Sequence, residues 1–306
     1  MLGKKQILLI AVFFVFFFGL IWFTNQKPRI ASSIVLSNES RRASDENGYE
    51  NFLETGFWDS NNIIAQYFSE PPSRNLFEEK NIYAGVTSHH FPLAMSFIAD
   101  LYGVLKNSRG PRQTFVIIGP DHFERCGSPA TLSDWPIFAP SGKLEPDKSI
   151  VESLVAVGAK INNDCFKKEH AILTQAIFLA YLFPEAKIAP LLFSSRTPDD
   201  LIRKIAESLA QNNANIFLLG SIDFSHYQSY KEARSFDEES REMIMNMDLS
   251  AVTLDHLDSP ASIKLINYYA MKKGLKPEII GNANSYDFTE CPNNTTSYFD
   301  LIYYSN

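Results

Sequence analysis

The chain has 306 residues, 45% hydrophobic and 21% charged, with a formal net charge of −7. That balance is ordinary for a globular protein, and with no basic block after residue 5 it argues against a nucleic-acid partner, which needs clustered Lys and Arg. Three cysteines (Cys126, Cys165, Cys291) share no CxxC spacing, which argues against a disulfide framework and a thiolate zinc knuckle.

In chain order, Lys4-Lys5 precede an uncharged apolar run from Ile7 to Phe23. At about 1.5 Å per residue this run is near the lower limit for crossing a bilayer core. It predicts a cytoplasmic tail at 1–5, a transmembrane signal-anchor at 6–24 and an extracytoplasmic location for the rest, with the membrane itself as a partner. A cleaved signal peptide is the rival, but bulky Phe and Trp stand where small cleavage-site residues belong. Residues 25–48 are polar without periodicity and read as a tether. Residues 49–80 carry scattered aromatics before Pro71-Pro72 and read as an arm packed on the domain.

From 81 to 306 strand-like runs alternate with helical patterns. Strands are expected at 82–87, 114–118, 187–193, 215–220 and 297–304. Leu93, Phe97, Leu101 and Leu105 repeat every four residues and mark one face of a helix over 92–106. Ile150, Leu154 and Val157 mark a second helix, and the largely apolar stretch 170–183 a third, buried on most sides. Thr197-Pro198-Asp199-Asp200 is a helix start, with acids facing the positive dipole end, and the helix runs to about residue 211. Helices at 234–247 and 259–273 follow. The expected fold is α/β: a mostly parallel central sheet covered by helices on both faces, in a single domain behind the N-terminal transmembrane helix.

Five of the six histidines fall where such elements end or begin. Ser88-His89-His90, Gly119-Pro120-Asp121-His122 and Ser221-Ile222-Asp223-Phe224-Ser225-His226 each follow an apolar run, and Glu169-His170 opens a helix. Ligands of open α/β sheets bind outside the carboxyl ends of the strands, so imidazoles distant in sequence can meet there. Neutral imidazole is the commonest metal ligand, and adjacent carboxylates fix its tautomer. Asp223 either orients His226 or caps a turn, and Glu169 and His170 serve either the site or the helix start. His256 reads as solvent-facing, and Cys126 and Cys165 as buried or inert. No GxSxG, HExxH, Walker A or GxGxxG motif occurs.

The order of these four segments resembles the Memo family, whose bacterial and archaeal members are called AmmeMemoRadiSam system protein B. The similarity covers about residues 80–306. It implies a fold similar to the class III extradiol dioxygenases, which hold non-haem iron with two histidines and a carboxylate. Memo proteins have a similar site with a cysteine from near the C-terminus. Carried over, the resemblance implies metal ligation by His89, with His90 as competitor, by His122, and by Cys291 or the neighbouring Glu290. It matches His226 to the acid–base position of the dioxygenase relatives; Asp223, His170 and Glu169 are further catalytic candidates from their positions beside it and at the helix start. Ser88 stands where the family has Pro, which leaves the choice between His89 and His90 open. The cofactor so implied is a divalent metal, Fe(II) first, with Cu or Zn favoured by a cysteine ligand. The expected function is a membrane-anchored metal-binding protein acting as a dioxygenase-like oxidoreductase. The alternative is a non-enzymatic metal-binding or protein-interaction module, with a small-molecule or protein partner unspecified.

Overall fold

Continuous rather than alternating apolar runs belong to strands buried on both faces, and helices must cover both sides of such a sheet. The computed structural model, which describes residues 53–56, 60–69, 77–212 and 215–305, has that architecture. The first elements are β1 (Leu53–Glu54), α1 (Ser60–Ser69), β2 (Asn81–Thr87), α2 (Met95–Asn107), β3 (Thr114–Pro120) and β4 (Ala130–Leu132). Next come β5 (Ile137–Ala139), β6 (Gly142–Leu144), α3 (Lys148–Ala156), β7 (Lys160–Ile161), a 3-10 helix (Asn163–Lys168) and α4 (His170–Leu182). Then follow β8 (Lys187–Phe193), α5 (Asp199–Gln211), β9 (Ile216–Ser221), α6 (Tyr230–Met245) and α7 (Pro260–Lys273). The last are β10 (Lys276–Asn284), α8 (Tyr286–Thr289) and β11 (Ser297–Ser305).

Eight strands form one sheet in the order β10-β11-β2-β9-β3-β8-β4-β7, and β1-β5-β6 form a small second sheet. The central four, β2, β9, β3 and β8, are parallel, so their carboxyl ends share one edge. The sheet as a whole is mixed, which corrects the expectation of a mostly parallel one. β10 and β11 add an antiparallel pair beside β2, and β4 runs antiparallel to β8. The sequence signal for β10 is weak because its interior, Gly281-Asn282-Ala283-Asn284, is poor in strand formers.

Two apolar layers cover the sheet. On one face Ile98, Leu101, Ile172 and Phe178 of α2 and α4 pack with Phe115, Ile117, Phe217 and Leu219. On the other, Ile202, Ile205, Ile263 and Ile266 of α5 and α7 pack with Val116, Ile118 and Leu218. Helix α4 is buried from Ala171 to Ala180, and Glu169 caps its start by accepting from Ala171 N at 3.2 Å. α7 has Pro at its first position and closes on Gly274 in the left-handed region, the ordinary punctuation of a helix. Of the arm, Leu53 and Ile64 are buried and Phe68 stacks on Tyr181.

Two expectations need correction. A single-pass membrane location is overturned: among the described residues no helix is long and apolar enough to cross a membrane. The run at 7–23 on which it rested, like the tether at 25–48, lies outside the described residues. The cysteine reading is overturned as well, because Cys126 and Cys165 form a disulfide with Cα atoms 5.2 Å apart. Pairing of β4 with β7, and the bond from Asn162 N to Leu132 O, bring the two segments together across 39 residues of sequence.

Candidate metal centre

Three side chains arrive at the carboxyl edge of the parallel strands by the shortest routes available. His89 lies two residues beyond β2, and His122 two residues beyond β3. His170 is the first residue of α4. Gly119 makes their approach possible: a Cβ there would stand 2.9 Å from Ala171 Cβ, so only glycine lets the end of β3 lie this close to the start of α4.

One ring nitrogen from each of His89, His122 and His170 lies within 4.8 Å of the others. Three nitrogens each about 2.1 Å from one ion share a separation of at most about 3.6 Å, so the gathered rings would draw in to close on it. The His122 and His170 rings stack at 4.2 Å, and His89 meets both edge-on, at 4.9 and 5.0 Å.

The far nitrogens are fixed from behind. His122 Nδ1 lies 2.6 Å from Glu169 Oε1, and its backbone N–H donates to Glu169 Oε2 at 3.1 Å. Glu169 is thus both a helix cap and the orienter of an imidazole. His89 Nδ1 lies 3.4 Å from Ser221 Oγ. The Gln175 amide donates to Ser221 Oγ and to Ser88 O, both at 2.9 Å, which ties the ends of β2 and β9 to α4. Asp223 Oδ1 accepts from Ser88 Oγ at 2.5 Å and from His89 N at 3.1 Å. Both Nε2 atoms face Asp258 Oδ2, at 3.2 Å from His89 and 3.7 Å from His122, and that of His89 also lies 3.7 Å from Asp223 Oδ2.

Asp258 is the residue that sequence reasoning missed. It sits in the turn before α7, where Asp255 and Leu254 suggest solvent, and its Oδ1 is buried without a hydrogen-bond partner. The available signal was Asp258-Ser259-Pro260, a helix start like those already placed beside the other site segments.

Electrostatics agree with a site built for a cation. Burial alone would lower the His122 imidazole, yet hydrogen bonds to Asp258 and Glu169 raise it to about 10. Burial likewise opposes protonation of His89, which Asp223 and Asp258 raise nonetheless. Burial would raise the Asp258 carboxyl, but the His122 and His89 imidazoles hold it well below the usual range. His170, half exposed, is pushed down to about 4 by desolvation and by its cationic neighbours His89 and His122. Carboxylates thus converge on the nitrogens of His89 and His122. The donor set fits a divalent ion.

The remaining candidates sit elsewhere. His90 Nδ1 pairs with Tyr298 Oη at 2.7 Å, and burial lowers its imidazole. His226 Nε2 is 4.0 Å from Asp223 Oδ2, and His226 lines a cleft of about 640 Å³ together with His122 and Asp258. Exposed Tyr227 and Leu254 flank that cleft. Cys291 is exposed, with its thiol 3.6 Å from Asn293 O, and Glu290 precedes it in the left-handed region at φ 57°. Neither belongs to the group of donors that meet within 4.8 Å among the described residues. His256, expected in solvent, is buried between Thr253 and Glu239.

A family model described as Memo-like protein matches residues 60–271. A MEMO1 family protein of Pyrobaculum aerophilum is 28% identical over 155 residues, 49% of this chain and 55% of the relative. One from Caldivirga maquilingensis is 31% identical over 44% of this chain and 50% of its own length, so the chain spans about half of these two relatives. One from Desulfurococcus amylolyticus is 26% identical over 77% of this chain and 87% of the relative. Among solved structures, an uncharacterized protein of Escherichia coli K12 aligns with 72% of this chain and 99% of its own, at a TM-score of 0.48 and 11% identity.

Proposed function

The chain belongs to the Memo-like protein family, and on that premise we propose that it binds one divalent metal ion through His89, His122 and Asp258. The observation that carries this reading is Asp258 Oδ2, within 3.7 Å of both Nε2 atoms, with the second carboxylate oxygen buried and unpartnered. Two imidazoles and one carboxylate are the donor set of non-haem Fe(II) oxygenases, so Fe(II) is the ion assigned. Asp258 replaces Cys291 and Glu290 in this proposal because the Cys291 thiol is exposed and turned to its own loop.

When bound, such an ion supplies Lewis acidity and, as iron, one-electron redox chemistry. The chain's own residues do the rest. Glu169 accepts from His122 Nδ1–H and so fixes the tautomer that presents Nε2. Asp223 positions His89 through its backbone N–H and through Ser88. His226, on the wall of the cleft, is the acid–base group for a small molecule bound there, a role worth about 10² to 10⁴ in rate. The reaction class supported is a dioxygenase-like oxidation.

His170 favours a second reading. If its ring joins the other three donors, four ligands close the site, as in metal centres that bind without turnover. Anaerobically purified protein is expected to bind one equivalent of Fe(II) and to lose it in the His89→Ala, His122→Ala and Asp258→Ala variants but not in Cys291→Ala. Oxygen uptake with chelating diols, abolished in His226→Ala with the metal retained, supports the enzyme. Tight Fe(II) binding that also needs His170, without oxygen uptake, replaces it with a binding module.

A further inference from the structure

We propose that the Cys126–Cys165 disulfide is a positioning clamp for the metal centre and makes its grip on metal sensitive to reduction. The inference rests on the metal-binding reading above. Cys126 lies four residues after His122, and Cys165 four residues before Glu169. His122 and Glu169 are themselves joined, imidazole to carboxylate at 2.6 Å and backbone N–H to carboxylate at 3.1 Å. The two segments therefore form a small ring, closed by sulfur on one side and by the ligand-orienting pair on the other. His170 follows Glu169 directly, so two of the three gathered imidazoles hang from this ring.

Asp121 accepts from Cys126 N at 2.9 Å and from Arg125 N at 3.2 Å, which shapes the His122 turn, and Asp121 N donates to Phe193 O at 2.8 Å, which anchors the turn to β8. Asn162 bridges the segments from its side-chain amide to Cys126 O at 3.1 Å. With this bridge, the site's own pair and the β4–β7 pairing alongside, the covalent link holds the turn after β3 against the 3-10 helix. The two segments are 39 residues apart along the chain, and cutting the link leaves them joined by hydrogen bonds alone. Cys126 is buried and Cys165 partly exposed, so Cys165 Sγ is the sulfur open to attack.

In reduction by a phosphine, phosphorus attacks one sulfur and the S–S bond breaks. Both sulfurs leave as thiols, and water supplies the oxygen of the phosphine oxide and the two protons. With sulfurs parted, His122 and Glu169 hold their relation through hydrogen bonds alone, and the imidazoles no longer meet in a fixed geometry.

The test is Co(II) titration of the full chain by its visible absorption, before and after phosphine reduction and desalting, with thiol counts of one and three as the check. Affinity is expected to fall about 10-fold or more on reduction, the scale on which groups that orient a ligand act. The Co(II) spectrum changes with it, and both recover on reoxidation. Hydrogen exchange should report faster amides at 121–126 and 163–170 while the strands stay protected. A Cys126→Ala/Cys165→Ala variant gives the same loss without reductant; if it does not fold, the reduced wild type decides. Equal affinity and spectrum in both redox states overturn the clamp and leave the metal reading standing. Failure of the oxidised wild type to bind Co(II) overturns that reading and the clamp with it.

Discussion

Buried carboxyls occupy two regions of this molecule, and their surroundings have opposite effects. At the rim of β2, β3 and β9, Asp258, Glu169 and Asp223 face imidazoles, and Asp258 is held well below the usual range by His122 and His89 despite its burial. In the antiparallel extension, Asp300 of β11 is buried with Oδ1 unpartnered, and desolvation pushes its carboxyl well above that range. Asp237 of α6, buried against β10, is raised too, by burial in the first place, despite Arg234 nearby. The same carboxyl is pulled down at the strand rim and pushed up in the antiparallel extension. Burial alone therefore does not mark a site; burial beside a basic group with no other task does.

Substitutions can break this contrast. The largest effect is expected from Asp258→Ala, which removes a proposed ligand; calorimetric Fe(II) titration should show binding lost, and retained affinity would remove Asp258 from the coordination set. Glu169→Gln keeps the cap geometry but removes the charge behind His122, and should weaken metal binding by about 10- to 100-fold. Gly119→Ala forces a Cβ to 2.9 Å from Ala171 and should destabilise by about 1–3 kcal/mol in urea unfolding. An unchanged midpoint would mean that β3 and α4 can part without cost.

The smallest effect, and the one that sharpens the comparison most, belongs to Asp300→Asn. A raised carboxyl contributes stability that is fully present below its unfolded value, about 3.9, and is lost as pH rises through the folded value. The wild type should therefore lose stability relative to Asp300→Asn as pH rises from about 4 toward neutrality, with metal binding unaffected. A pH-independent difference between the two would show that Asp300 is ionised in the fold.

Much of the frame was legible from residue pattern. The strand 187–193 and the helix 259–273 match the elements within a residue because apolar runs and helix punctuation coincide there. α6 begins at Tyr230 rather than 234 because Ser229 and Glu232 form a capping box that extends the helix by a turn. The antiparallel β10 escaped notice because partly exposed residues and Asn-Gly content hide its periodicity. Of the site, His89, His122 and His170 were visible through their positions at strand ends and a helix start. Asp258 and the disulfide were not, since both depend on contacts between segments tens of residues apart.

Gln175 gives the centre its stiffness. Its side-chain amide reaches Ser88 O and Ser221 Oγ, and its carbonyl oxygens receive Tyr102 Oη from α2. One buried residue of α4 thus bolts two strand tips and a neighbouring helix to the element that carries His170. Any sliding of α4 would therefore carry the anchorage of His89 along with it.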